Sequence, residues 1–318
     1  MRVLITGAAG FIGSHLSEAL LAGGAVVRGV DRLSSYYDPA MKRANLAPLL
    51  DAEDFEFAEG SLNELAPDEL LSGIDVVFHL AGQPGVRVSW GQEFGLYLDD
   101  NVLSTQRLLE AARETGLKRF ILASSSSVYG DAERFPTRES DAPAPVSPYG
   151  VSKLAAEHLC NLYFKGFGVP TVALRYFTIF GPRQRPDMAF ARFINAGLTN
   201  SAIEVYGDGG QQRDFTYVGD AVAATVAAGE RGVPGSVYNI AGGNHATVVE
   251  VIRTLGRLIG HELAVEHLPV VVGDARKTGA DIHRAQAELD YAPVTSLVKG
   301  LSLQLDAEKK RLDLDAVS

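Results

Sequence analysis

The chain has 318 residues, 46% of them hydrophobic and 21% charged, with a formal net charge of −10, enough length for a core shared by a larger and a smaller lobe. The negative charge excludes nucleic acid as an expected partner, because the chain would repel a phosphate backbone. A lone cysteine, Cys160, excludes an internal disulfide and a cysteine metal cluster and suits a reducing cytoplasm; no apolar run reaches the roughly 18 residues that span a bilayer, and neither a signal peptide nor a membrane anchor is read.

Arg2 to Thr6 predicts a short apolar strand, and Gly7-Ala8-Ala9-Gly10-Phe11-Ile12-Gly13 follows it directly. Ser14 to Leu21 carries apolar residues at helical spacing, Gly23-Gly24 breaks it, and the run Ala25 to Val30 ends at Asp31. Strand, glycine turn, helix, strand and acid come in the order that a dinucleotide-binding fold requires. Gly7 permits the tight turn, Gly10 lets backbone N–H groups approach a pyrophosphate, and Gly13 lets helix and strand pack closely. The helix N-terminus adds partial positive charge for the anion. Asp31 would accept from the adenosine ribose and repel a 2′-phosphate, which favours NAD over NADP, although Arg32 beside it pulls the other way.

The alternation continues. Phe55 to Ala58 predicts a strand, Asn63 to Leu71 a helix, Val76 to Leu80 a strand, Asn101 to Thr115 a helix, and Arg119 to Ala123 a strand. A helix holding Tyr149 and a strand from Thr171 to Arg175 complete the run. The fold class expected is α/β: a doubly wound parallel sheet of the Rossmann type, with ligands at the carboxyl ends of the strands. Ala81-Gly82-Gln83, Ser124 to Ser127 and Tyr176 to Gly181 fall at such ends. From about Phe180 the elements shorten and Pro, Gly and Arg become frequent, as in a smaller mixed α/β lobe. The expected division is 1–178 for the dinucleotide-binding domain, with later segments returning to it, and 179–318 mainly for the substrate lobe. Arg213, Arg276 and Lys277 lie in loop-like stretches there, where a phosphate ligand would find cations.

Pro148-Tyr149-Gly150-Val151-Ser152-Lys153 carries the chemistry. If it opens a helix, Tyr149 and Lys153 share one face, and an ammonium there stabilises the phenolate of a group that ordinarily titrates near about 10. Tyr149 would then take a proton from an alcohol.

Gly7-x-x-Gly10-x-x-Gly13, the serine run before Val128-Tyr129-Gly130, and Tyr149-x-x-x-Lys153 together resemble the extended short-chain dehydrogenase/reductase family, over nearly the whole chain. Within it the sequence is most similar to the UDP-sugar 4-epimerases, the UDP-glucuronate branch above all. Three stretches carry that likeness: Asp31 to Lys42 with Asp38-Pro39, His79 to Arg87, and Arg175 to Met188. The resemblance implies Ser125, Tyr149 and Lys153 as the catalytic trio. It implies NAD held by Gly7, Gly10, Phe11, Ile12, Gly13, Asp31, Leu80, Ala81, Gly82, Asn101, Tyr149, Lys153 and Tyr176. It implies a UDP-sugar held by Gln83, Arg87, Ser125, Ser126, Ser127, Thr178, Arg185 and Arg192, with Tyr206 flanking the uracil and Arg213 and Arg276 clamping the diphosphate. The helices near Asn101 and Tyr149 resemble those of a four-helix homodimer interface.

The sequence departs from the family pattern at Gly60-Ser61, where Gly-Asp usually holds the adenine amine, and at Val218-Gly219-Asp220, which lacks the first of two acids. The 4,6-dehydratases of the family carry Asp-Glu where Ser126 and Ser127 stand, and the decarboxylases a glutamate at the place of Ser127. Both branches are therefore disfavoured. Glucuronate and neutral UDP-sugars such as UDP-glucose or UDP-N-acetylglucosamine remain open as substrates.

Overall fold

The computed structural model describes residues 1–132, 134–269 and 276–315. The first half of the chain runs β1 (Arg2–Thr6), α1 (Phe11–Ala22), β2 (Val26–Asp31), α2 (Pro39–Leu50), β3 (Phe55–Glu59), α3 (Pro67–Leu71), β4 (Val76–His79), α4 (Phe94–Tyr97), α5 (Ser104–Ala112), β5 (Arg119–Ser125), α6 (Pro148–Phe167) and β6 (Thr171–Tyr176). The second half runs β7 (Ile179–Phe180), α7 (Ala189–Leu198), β8 (Ile203–Tyr206), β9 (Gln212–Tyr217), α8 (Val218–Arg231), β10 (Ser236–Ile240), β11 (Asn244–Thr247), α9 (Val248–Ile259), β12 (Val265–Leu268), α10 (His283–Leu289) and α11 (Leu297–Asp315).

Seven strands form one sheet in the order β10-β6-β5-β4-β1-β2-β3, and every neighbouring pair is parallel. The expected doubly wound sheet is thus present, with β10 added at its far edge. Every residue of β4 and β6 is buried, the signature of central strands covered on both faces. On one face Val3, Ile5 and Phe78 pack with Leu16 of α1 and Ala221 of α8; on the other Leu4, Val77 and Phe120 pack with Leu108 of α5 and Ala156 of α6. Strand order reverses between β1 and β4, so the crevice for a ligand opens above their carboxyl ends. A second core gathers Phe180, Phe190, Phe215, Leu255 and Leu301 beneath a three-stranded sheet (β11-β9-β7) and a two-stranded one (β12-β8).

Three local readings change. The expected helix from Asn63 to Leu71 forms only from Pro67, because Ser61 turns the chain first: its hydroxyl accepts the Asn63 N–H and its carbonyl those of Glu64 and Leu65. The expected helix from Asn101 to Thr115 is a π-turn, Leu98–Leu103, running into α5. Such bulges concentrate at functional sites. Helix α2 was not expected, although Asp38-Pro39 signals it: the Asp38 carboxylate accepts the Ala40 N–H at 2.9 Å, and Pro39 fixes the first helical φ.

Candidate active site

Helix α6 starts where its sequence demands. Ser147 caps it, its hydroxyl accepting the Gly150 N–H at 3.1 Å, and Pro148 sets the first turn. Such a cap is worth about 1 kcal/mol and fixes the turn that carries Tyr149. A Cβ at Gly150 would lie 2.5 Å from the Ser127 carbonyl, so glycine lets the helix rest directly on the 3-10 turn Ser126–Tyr129 that follows β5. That approach sets the Ser125 hydroxyl beside the Tyr149 phenol, where it favours the phenol's charged form. One turn along, Lys153 is buried and donates to the Ala123 carbonyl at 3.0 Å. The three expected catalytic side chains therefore meet at the carboxyl end of β5.

Burial pushes the Tyr149 phenol up, and the neighbouring Ser125 hydroxyl and the Arg185 charge pull it back. Burial brings Lys153 down to about 8, against the charge of Glu157. Tyr97 flanks Tyr149 edge-on, with ring centroids 6.2 Å apart, and its hydroxyl meets the carbonyls of Pro84 and Gly85 at 2.9 and 2.8 Å.

A cleft at the carboxyl ends of β1, β2 and β4 is lined by Gly7, Gly10, Phe11, Ile12, Gly13, Asp31, Leu80, Ala81, Gly82 and Gln83, and also by Ala123 and Arg185. It fits a dinucleotide. Ideal Cβ atoms at Gly7, Gly13 and Gly82 would come within 2.9, 2.0 and 2.5 Å of neighbouring atoms, so the approach that exposes these main-chain segments requires glycine. The Asp31 carboxylate accepts the Ala9 and Leu33 N–H groups at 3.2 and 2.8 Å, standing at the end of β2 where a ribose would reach it. Arg32 pairs with Asp100 at 2.6 Å, and both line this cleft beside Asp31. Ser61 lines the same cleft beside Asn63, whose buried Oδ1 accepts from none of the described residues.

Four expected cofactor residues, Asn101, Tyr149, Lys153 and Tyr176, are not in this lining: Tyr149 and Lys153 stand at the end of β5 as described, and the other two make contacts of their own. Asn101 does not line the cleft; its Oδ1 accepts the Gln83 N–H at 2.7 Å, and its Nδ2 donates to the Gln83 carbonyl at 3.1 Å and to Ser152 at 2.9 Å. It fastens the loop after β4 to α6. The Tyr176 phenol turns into the core, 2.7 Å from the Thr225 hydroxyl, because alternate side chains of a buried strand point to opposite faces.

The substrate-side residues come from several elements. Ser126 and Ser127 form the turn after β5, and Thr178 links β6 to β7, its carbonyl accepting the Thr216 N–H at 3.0 Å. Arg185 forks onto Asp187 at 2.9 and 3.0 Å, and the Tyr36 hydroxyl donates to the same carboxylate at 3.3 Å. The Arg87 guanidinium stacks on the Tyr206 ring at 4.2 Å, joining the loop after β4 to the end of β8. Arg213 lies on β9, and Arg276 is brought beside it by main-chain pairing, the Gln212 N–H donating to the Arg276 carbonyl at 3.0 Å. Arg192 stands apart: it pairs with Glu204 at 2.5 Å and lines a separate cavity with Glu308 and Arg311. Tyr36, Tyr97 and Asp187 were not singled out, and nothing in the spacing of the sequence marks them. Glu157 was legible as the next step of the Tyr149, Lys153 stripe.

Comparison with known proteins agrees with this geometry. A protein of Bacillus subtilis (strain 168) described as the uncharacterized UDP-glucose epimerase YtcB is 43% identical over 307 residues, 96% of this chain and 97% of that protein. The UDP-glucuronate 4-epimerase of Thermodesulfobacterium geofontis (strain OPF15) is 35% identical over 315 residues, 98% of this chain and 97% of the relative. The crystal structure of UDP-glucuronic acid 4-epimerase from Bacillus cereus, in complex with UDP-glucuronic acid and NAD, superposes with a TM-score of 0.96 at 43% identity and covers 98% of this chain and 100% of that one. Residues 3–241 match the NAD dependent epimerase/dehydratase family, and the chain belongs to that family.

Proposed function

We propose that this protein is an isomerase, an NAD-dependent 4-epimerase that converts UDP-glucuronate to UDP-galacturonate through a 4-keto sugar. The observation that carries the reading is the Tyr149, Ser125 and Lys153 cluster set against hydroxyls alone. Ser126 and Ser127 cannot act as the acid and base of an elimination, and the carboxylates of Glu157 and Asp187 are each held by an arginine.

Bound NAD supplies the acceptor and later the donor of the C4 hydride. Tyr149 takes the C4 hydroxyl proton, Ser125 orients that hydroxyl, and Lys153 stabilises the resulting phenolate. The keto sugar then turns over in the pocket, and Tyr149 returns the proton on its opposite face. The sugar must rotate while the nucleotide stays, so firm contacts belong on the diphosphate, from Arg213 and Arg276, and lighter ones on the sugar. A 4-keto glucuronate is a β-keto acid and loses carbon dioxide when its carboxylate bond aligns with the carbonyl π-system. Thr178, Ser126 and Ser127 hold the carboxylate out of that alignment. Arg185 supplies charge recognition: its Nε and Nη2 bind Asp187, while Nη1 donates to none of the described residues.

A second reading, epimerisation of neutral UDP-sugars, draws on the UDP-glucose epimerase description of the Bacillus subtilis relative. Product analysis across UDP-sugars separates the two. UDP-glucuronate should give UDP-galacturonate without net NADH and with the highest kcat/KM. Arg185→Met should lower kcat/KM for UDP-glucuronate about 10- to 100-fold more than that for UDP-glucose, as expected for one charge-assisted contact, the loss of its pull on Tyr149 being common to both substrates. A pentose product, or preference for UDP-glucose in the parent protein, refutes the assignment.

The reading assigns 1–178, with the segments that return to it, to NAD and 179–318 mainly to the UDP-sugar. It also includes a homodimer, supported by exposed Leu96, Leu98, Leu103, Val151 and Leu162 on the neighbouring segments α4 to α5 and α6. Sedimentation equilibrium should give twice the 33.9 kDa chain mass, and Leu98→Asp with Leu162→Asp should give the monomer; a monomeric parent protein discards the dimer. The buried thiol of Cys160 fits a reducing, cytoplasmic setting.

A further inference from the structure

We propose that Glu157 is a positioning residue for the proton-transfer cluster, holding Lys153 in its charged form and fixing Ser125 through its neighbour Ser124. The proposal rests on Tyr149, Ser125 and Lys153 being that cluster. Helix α6 sets Tyr149, Lys153 and Glu157 at four-residue steps, so the three side chains form one stripe facing β5 and β6.

The Glu157 carboxylate is buried and fully partnered. Its Oε1 accepts from the Ser124 hydroxyl and from Arg175 Nε at 3.0 Å, and its Oε2 accepts from Arg175 Nη2 at 2.8 Å. Arg175 Nη1 goes on to the Tyr129 hydroxyl at 2.7 Å, which donates to Asn239 Oδ1 at 2.8 Å. Each of these contacts adjoins the reaction in sequence. Ser124 precedes Ser125, Tyr129 closes the turn that holds Ser126 and Ser127, and Arg175 leads through Tyr176 into Thr178. One carboxylate thus ties together the catalytic helix, the serine turn and the strand that supplies Thr178.

Stability gives no reason for an ion pair at this place. A buried pair replaced on both sides by neutral groups is often no less stable, because desolvating two charges offsets their attraction. Its placement beside Lys153 supplies a reason. Lys153 is faced by Tyr149 and Glu157 from its own helix, by the carbonyl of Ala123 from β5 and by the amide of Asn101 from the π-turn. From β4 comes His79, held between the hydroxyls of Thr6 and Thr105 at 2.8 and 2.9 Å and pushed by burial down to about 3, hence neutral. From β6 comes Arg175, whose charge is committed to Glu157. Among the described residues Glu157 is the anion that offsets the burial of Lys153, and without it the ammonium would give up its proton at lower pH.

The test uses the NAD-loaded protein with 13C-labelled lysine, the Lys153 resonance being identified by its loss in Lys153→Met. In Glu157→Gln the Lys153 titration midpoint should fall by about one pH unit. The alkaline limb of kcat/KM should move with it, kcat should drop about twofold at pH 7 and about 10-fold at pH 9, and KM should change less than about twofold. Should the single variant fail to fold around an orphaned Arg175, Glu157→Gln with Arg175→Gln removes the cation along with the anion and should lower the Lys153 midpoint in the same direction by a smaller amount, since Glu157 is the charge that acts on Lys153. A Lys153 midpoint that stays at its parent value in whichever of these folds, or an unchanged kcat, overturns the proposal. The lysine titration is read without turnover, so it stands or falls separately from the epimerase reading, which the Tyr149→Phe variant and the UDP-sugar panel test.

Discussion

Tyr149→Phe should reduce kcat on UDP-glucuronate by about three orders of magnitude, the middle of the range for losing a positioned acid–base group, with KM and NAD content little altered. The ring would stay where it is, since phenylalanine fills the same space beside Tyr97 and helix α6 keeps its Ser147 cap. Only the hydroxyl that stands beside Ser125 disappears. In the parent protein, burial keeps the phenol protonated above its ordinary range, so proton abstraction improves as pH rises, until Lys153 loses its own proton near about 8. The profile should therefore climb toward mildly alkaline pH and then fall, while the residual rate of the variant should lack the climb. Turnover measured across that range decides it. A variant with more than about a tenth of the parent rate removes Tyr149 from the chemistry.

How much of this site the sequence revealed depends on whether the contact was local. The glycine turn, Asp31 and the Tyr149 to Lys153 stripe are set by residues a few positions apart, and the structure places them where their spacing says. The end of β5 was legible because a buried strand must finish at a sheet edge, which put Ser125 at the crevice. What spacing could not supply was orientation. Lys153 donates to the Ala123 carbonyl of β5, and the long-range approach of Arg185 through the loop after β7 brings a further charge to bear on the phenol. Tyr176 reads as a crevice residue from its position, yet the pleat turns its phenol to Thr225. Tyr36 and Asp187 lie 151 positions apart and meet only because the loops after β2 and β7 converge over one cleft. Arg192 belongs to the expected lobe but faces Glu204 across a different cavity. Such contacts follow from topology and the packing of two lobes, which a one-dimensional pattern does not encode.

Gly13→Ala should destabilise the protein by about 3 kcal/mol, the severe end of overpacking, and should abolish NAD retention. The added methyl would lie 2.0 Å from the Gly7 carbonyl oxygen, 2.8 Å from its carbon and 3.0 Å from Ala8 Cα. All three obstacles are backbone, so no side-chain rotation relieves them. The turn cannot retreat either. Gly7 holds φ at +74°, its N–H donates to the Val30 carbonyl at 2.7 Å, and behind it the Ala81 nitrogen would be only 2.9 Å from a Cβ. Helix α1 must therefore move outward, carrying with it the N-terminal N–H groups that would meet a pyrophosphate. Cofactor loss compounds the damage, because a ligand present at a thousand times its Kd contributes about 4 kcal/mol of stability by mass action. Two measurements separate the contributions: nicotinamide released on denaturation, and Tm with and without added NAD. The parent protein should carry cofactor and gain Tm when NAD is added after stripping; the variant should carry none and gain nothing. A Gly13→Ala protein with a full complement of NAD and the parental Tm would mean that the glycine turn is not what seats the dinucleotide.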